Sequence, residues 1–136
     1  MANLRDEDRR MLIELAGEAR RKAYAPYSKY PVGSAVLTKS GKFYTGCNIE
    51  NAAHPTGMCA ERVAIFKAVS DGEREFEAAI VLTSNGGSPC GGCRQVMAEF
   101  GLDTIVLIAN EAGVLLSESS VAELLPGAFT PQKLER

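Results

Sequence analysis

The sequence has no basic block, no apolar run long enough to cross a bilayer, and a single histidine, His54. Lys and Arg number 15 against 17 Asp and Glu, and the formal net charge is -2. A nucleic-acid or anionic-membrane surface needs clustered positive charge, so neither partner is expected. The longest apolar stretches, TIVLIA and AAIVL, fall far short of the ~20 residues of a membrane-spanning helix. The start, MANLRDEDRR, lacks the apolar core of a secretory signal, so the chain is expected to be cytoplasmic. In that reducing compartment its four cysteines are expected to be thiols or metal ligands rather than disulfides. Internal repeats, low-complexity tracts and linkers are missing too. What remains is 136 residues, 46% apolar and 24% charged, the composition of one globular domain spanning 1–136.

The apolar pattern divides this domain into alternating elements. From about Asp6 to Tyr24, the residues Met11, Leu12, Leu15, Ala16, Ala19 and Ala23 recur at helical spacing. APYSKYP breaks that helix. VGSAVLT, KSGK and FYTGCN read as strand, turn and strand. CAERVAIFKAVSDG reads as a helix ended by Gly72, and AAIVLTS as a buried strand. PCGGCRQVMAEFG opens with proline and stops at Gly101, a further helix. TIVLIAN is another buried strand, GVLLSES a short one, and SVAELLP a last helical turn or two. Continuous apolar strands separated by helices imply a sheet covered on both faces. The expected fold is an α/β class, three-layer α/β/α sandwich with a mixed, about five-stranded sheet.

Chemistry gathers at two helix starts. Cys59 opens one, and Cys90 with Cys93 opens another, the pair sharing a helix face through its i, i+3 spacing. A helix N-terminus favours anions, so these thiols ionise more readily there. Three thiolates can hold zinc and leave a fourth tetrahedral position open, the pattern of a catalytic site. Other readings stand beside it. Cysteines are often just small core residues, Cys47 could close a four-thiolate structural site, and Cys90 with Cys93 could be a redox pair. Glu61, two residues past Cys59, is placed to move a proton of metal-activated water without being a ligand. Its plainer role is an acidic residue favoured by the helix dipole.

MCAER followed by PCGGCRQ is the C-x-E … P-C-x-x-C pattern of zinc deaminases in its three-cysteine form. With YAPYSKYPVGSAV, GCNIENAA, CAERVAIFKA and LLPGAF in the same order, the chain from about Tyr24 to Pro131 resembles the small cytidine deaminases of pyrimidine salvage. The resemblance implies one Zn²⁺ per subunit on Cys59, Cys90 and Cys93, with Glu61 as the proton carrier. It implies deamination of cytidine and deoxycytidine to the uracil nucleosides and ammonia. It implies substrate contacts from Asn48 and Glu50 to ribose hydroxyls, from Tyr30 and Val32, and from the Ala60 backbone N–H. Three thiolates on a divalent ion carry about one net negative charge, which a nearby cation relieves. By resemblance Arg62 supplies it, hydrogen-bonding the cysteine sulfurs, with Gln95 in support. A homotetramer is implied, in which His54 and Phe129 reach a neighbouring subunit's pocket. Cys47 reads as a strand cysteine near the site.

The chain departs from the family at a few positions. Tyr30 stands where phenylalanine is common, so the aromatic face is kept and a hydroxyl is added that needs a partner. Ser34 replaces the usual alanine. His54 stands where tyrosine is usual. It reads as a sugar-side contact in the neighbouring pocket, against the alternatives of a zinc ligand or an idle loop residue. Asn48 and Glu50 can equally be turn residues, Arg62 a solvated charge, and Phe129 an anchor for the chain end. Three rival functions follow: a deaminase of a related amino-heterocyclic nucleoside, such as a nucleoside antibiotic or modified base; a nucleic-acid-editing deaminase; and a non-catalytic zinc-stabilised binding protein. The charge balance argues against the second, and the presence of Glu61 against the third.

Overall fold

The computed structural model describes residues 4–134. Helix α1 spans Asp6–Arg20 and the hairpin strands β1 and β2 span Gly33–Thr38 and Phe43–Cys47. A short 3-10 turn, His54–Thr56, precedes α2, Ala60–Ser70. Strand β3 (Phe76–Thr83), α3 (Gly91–Phe100), β4 (Ile105–Asn110), β5 (Leu115–Ser120) and the single-turn α4 (Val121–Leu124) complete the order, with a final 3-10 turn at Pro131–Leu134. The five strands form one mixed sheet in the order β2-β1-β3-β4-β5. Only β3 and β4 pair in parallel; the other neighbours are antiparallel.

Alternation along each strand builds the two cores. Ala35 and Leu37 of β1, Ile80 and Leu82 of β3 and Leu107 and Ala109 of β4 face α1, whose Leu12 and Ala16 are fully buried against them. Their neighbours Val36, Ala79 and Val106 face the other way, onto Ala64, Ile65 and Ala68 of α2, Met97 and Ala98 of α3, and Val121 of α4. The expected three-layer sandwich is therefore present, with one helix on one face and three on the other. Ser34, buried in β1, donates through Oγ to the Ile80 carbonyl at 2.7 Å, which satisfies the polar group that alanine would have lacked.

Helix α1 is shorter than the apolar pattern predicts. Its spacing extends through Ala23, yet regular helix ends at Arg20 and residues 21–23 continue only as three-residue turns. Tyr24 instead joins the extension of β2: its N–H donates to the Asn48 carbonyl at 3.0 Å, and Glu50 N–H returns to the Tyr24 carbonyl at 2.8 Å. A long-range backbone pairing takes Tyr24 into extended backbone ahead of the break at Pro26 in APYSKYP.

The topology aims two helix starts at one end of the sheet. Strands β2 and β3 both run antiparallel to β1 and so lie parallel to each other. The connection β2–α2–β3 and the connection β3–α3–β4 therefore both leave the C-terminal ends of parallel strands, where open α/β sheets form their crevices. Gly46 lets α2 settle close to β2. A Cβ there would stand 2.5 Å from the Ala60 carbonyl oxygen and 2.6 Å from the Ala64 nitrogen, so only glycine allows this approach.

Candidate metal centre

Cys59 is the N-cap of α2 and Cys90 the N-cap of α3. Cys93 lies on the first turn of α3, fully buried. The three Sγ atoms lie within 4.8 Å of one another, and among the described residues Cys47 is not part of this cluster. With Cys47 outside the cluster, the four-thiolate site has no geometric basis among the described residues, and all four cysteines are free thiols. The Cys93 N–H donates to Cys90 Sγ at 3.4 Å, a cap on the orphan donors of the helix start. Arg62 Nη2 donates to Cys59 Sγ at 3.2 Å.

These neighbours polarise the thiols. A hydrogen bond from Cys93, then those from Arg62 and Cys90 with the Arg62 charge, lower the Cys59 thiol to about 5 against the cost of burial. Cys93 is raised, because it keeps the proton it shares with Cys59 and because it is buried beside Glu61. Arg62 is held more firmly cationic by the two sulfurs, and its buried Nε has no hydrogen-bond partner. A cluster of three converging thiols, one ionised near neutrality, with the half-buried Arg62 cation against it, suits a soft or borderline divalent metal. The donor set fits zinc: metal binding displaces the shared proton, and Arg62 offsets the surplus negative charge.

Glu61 lies on the first turn of α2, only 4% exposed. Burial first, then the nearby Cys59 charge, raises its carboxyl above the ordinary value, while its own backbone N–H, Arg62 and a hydrogen bond from Cys93 oppose this. A buried carboxyl that holds a proton more readily than one in water, beside the sulfur cluster, is equipped to take and return protons.

Of the three cysteines Cys59 lines a cavity of about 490 Å³, with Asn48, Glu50, His54, Met58 and Arg62, while Cys90, Cys93, Glu61, Tyr30, Val32 and Ala60 are not on its wall. The polar residues of this wall are already engaged. Asn48 accepts from the Val32 N–H at 2.9 Å and donates to the Tyr30 carbonyl at 3.0 Å. Glu50 accepts the N–H groups of Tyr27 and Ser28, each at 3.1 Å, and the Ser28 hydroxyl. These hydrogen bonds, led by the Ser28 hydroxyl, hold its carboxyl below the usual range. The His54 ring lies on the wall of its own chain's cavity, 6.1 Å from the Tyr27 ring. Ala60, at the first position of α2, is fully buried. The Tyr30 hydroxyl finds its partner in Asn85 Oδ1 at 2.6 Å. Gln95 Nε2 donates to the Phe129 carbonyl at 2.7 Å, tying α3 to the C-terminal segment and leaving the Phe129 side chain half exposed.

Residues absent from the sequence reading also shape the site. Ser28 and Tyr27 present the N–H groups that orient Glu50. Arg94 fixes the approach to Cys90 by donating to the Pro89 and Leu124 carbonyls, both at 2.8 Å. The local trace of Tyr27 and Ser28 is turn chemistry, in PYS, and Arg94 leaves none.

Residues 6–109 match the model of the cytidine and deoxycytidylate deaminase zinc-binding region. The chain is 50% identical over 125 residues to a cytidine deaminase of Sporosarcina psychrophila, covering 90% of this chain and 92% of that one. It is 31% identical over 129 residues to a blasticidin-S deaminase of Bacillus cereus, covering 88% and 90%. The crystal structure of cytidine deaminase from Burkholderia pseudomallei superposes with a TM-score of 0.85 at 44% identity, covering 93% of this chain and all of that one.

Proposed function

The chain belongs to the cytidine and deoxycytidylate deaminase family, and from that membership we propose that it deaminates cytidine and deoxycytidine hydrolytically to uridine and deoxyuridine with release of ammonia. The observation that carries this reading is the convergence of Cys59, Cys90 and Cys93 sulfurs within 4.8 Å beside a buried Glu61. Identity to a cytidine deaminase at 50% against 31% to a blasticidin-S deaminase favours cytidine over a related amino-heterocyclic nucleoside.

In this mechanism Cys59, Cys90 and Cys93 would hold the zinc. The bound ion supplies the Lewis acidity that makes water a nucleophile near neutral pH. Glu61 would take a proton from the attacking water and give it to N3 of the pyrimidine, then take the remaining hydroxyl proton at C4 and give it to the departing amine, so that the C4 carbonyl forms as ammonia leaves. Arg62 balances the thiolate charge. The Ala60 backbone N–H and the Tyr30 and Val32 side face orient the base, while Asn48 and Glu50 meet the ribose hydroxyls. Because Glu50 is already oriented by Tyr27, Ser28 and their N–H groups, the sugar meets a pre-ordered acceptor and the free base should be a poor substrate.

The proposal extends to assembly and setting: one catalytic domain over residues 1–136, working as a cytoplasmic homotetramer in pyrimidine salvage. Exposed Phe66, Leu116 and Phe129 offer apolar surface for such contacts. In the tetramer, Phe129 and His54, which also lines its own chain's cavity, contribute to a neighbouring pocket. His54→Tyr is then expected to change KM for cytidine and leave zinc content unaltered; unchanged kinetics would remove His54 from the site. The test of the whole reading is cytidine turnover followed by ultraviolet absorbance, with zinc measured on the same sample. Zinc-loaded protein that leaves cytidine intact while converting another amino-heterocycle would replace the substrate.

A further inference from the structure

Tyr30 is bonded to a loop that belongs to a different crossover. Its Oη donates to Asn85 Oδ1 across a separation of 55 positions. Asn85 sits in the turn leaving β3, which Thr83 gathers by accepting the Gly86 and Gly87 N–H groups on Oγ1, each at 2.8 Å. The loop then passes through buried Pro89 to Cys90. Its far end is held by Arg94, which donates to the Pro89 carbonyl at 2.8 Å and to Ser88 Oγ at 2.9 Å. Tyr30 holds its near end. Tyr30 is itself fixed, its carbonyl by Asn48 Nδ2 at 3.0 Å and its N–H by Ser28 Oγ at 3.1 Å. A continuous set of hydrogen bonds thus links the Asn48 and Glu50 wall of the cavity to the segment that delivers Cys90.

Gly87 is matched to this tie. A Cβ there would stand 2.6 Å from Tyr30 Oη, whereas the next nearest atom, Tyr30 Cζ, is 3.7 Å away, an ordinary contact. The backbone at Gly87 is outside the left-handed region that favours glycine, so alanine suits its conformation. The atom that a methyl group would displace is the hydroxyl oxygen alone.

We propose that the Tyr30 hydroxyl is a positioning residue for the metal centre. It sets where the loop after β3 lies, and through that loop the place of the Cys90 sulfur relative to Cys59 and Cys93. Gly87 remains without a side chain so that this bond can close. The proposal deepens the deaminase reading and rests on it for its kinetic consequences.

Three zinc-loaded variants test it: Tyr30→Phe, Gly87→Ala and the two combined. Zinc release to excess chromogenic chelator is read separately from turnover, and the visible spectrum of each cobalt-substituted protein reports the thiolate geometry. Gly87→Ala alone is expected to speed zinc release and to lower kcat, each about tenfold, with KM changed less than about twofold. Tyr30→Phe keeps the ring and loses the tie, giving about a threefold change in the same direction. Adding Gly87→Ala to Tyr30→Phe should cost nothing further, because removing the hydroxyl opens the space for the methyl group. Equal damage from Gly87→Ala in both backgrounds overturns the proposal, as do unaltered release and spectra in all three variants. If Gly87→Ala alone does not fold, recovery of a folded, zinc-retaining protein in the combined variant supports the tie, and failure to recover overturns it. Unmodified protein that retains zinc but does not turn over cytidine would defeat the deaminase reading while leaving the release measurements to decide the tie.

Discussion

Glu61 combines a proton-accepting position with a site from which water is largely excluded. It is 4% exposed, and burial raises its carboxyl while Cys93 hydrogen-bonds to it. Glu61→Gln keeps the shape and the helix but cannot carry a proton, so kcat for cytidine should fall by about 10³-fold or more. Zinc content measured on that variant should stay near one per chain. Retained turnover would remove Glu61 from the chemistry. The three thiols and Glu61 are legible in the sequence because their spacing follows from helix geometry: cap, first turn and i, i+3 neighbours are local facts. The roles of Asn85 and Ser28 are not. They depend on hydrogen bonds to Tyr30 and Glu50 across 55 and 22 positions, and such pairings leave no local pattern. Asn48 is an intermediate case: the sequence marks it for the sugar, and the structure adds its bridge between Tyr30 and Val32.

At the scale of elements, the start of α2 is set by its approach to β2. Gly46→Ala places a methyl group against the Ala60 carbonyl and the Ala64 nitrogen, and the backbone must move. Stability should drop by about 1–3 kcal/mol, and turnover by about tenfold or more, as Cys59 and Glu61 shift together. Urea unfolding and cytidine kinetics on one preparation check both. On the opposite side of the sheet, Arg9 grips Glu118 with two hydrogen bonds of 2.8 Å, joining α1 to β5. That hydrogen bond first, then the Arg9 charge, holds Glu118 below its ordinary value of 4.5 against burial. A depressed carboxylate stabilises the fold fully above that value, and the contribution fades as pH falls through the lower folded one. Arg9→Gln should therefore cost about 0.5–1 kcal/mol at pH 7 and almost nothing near pH 2, by urea titration at the two pH values. The layer order and strands β1, β3 and β4 follow from apolar runs, β2 follows from the turn before FYTGC, and GVLLSES places β5 as a short strand. Strand β5, with Leu116, Ser117 and Glu118 exposed, has no such run. Tyr24 pairs with Ile49 ahead of the break at Pro26, which helical periodicity cannot foresee.

Across the whole molecule, the sulfur cluster joins two crossovers, with Cys59 at the start of α2 and Cys90 and Cys93 at the start of α3. Zinc bound there stabilises the native state by mass action, about 4 kcal/mol when free zinc exceeds its dissociation constant a thousandfold. Chelation should lower Tm by about 10 °C or more for a domain of this size, reversibly on adding zinc back; calorimetry with and without chelator measures it. Coincident melting in both states would mean that the metal contributes nothing to the fold. The position of the cluster also orders events during synthesis. Strands β1 and β2 and helix α2 are complete in the chain before β3 exists, and with Cys59 they supply one of the three cluster thiols, Cys47 at the end of β2 lying outside the cluster. Cys90 and Cys93 come beside it only after β3 has inserted against β1 and α3 has returned over the sheet. A nascent chain therefore has no three-sulfur site until its central strand is seated. Metal uptake becomes a late checkpoint, one that a half-folded chain fails and a finished sheet passes.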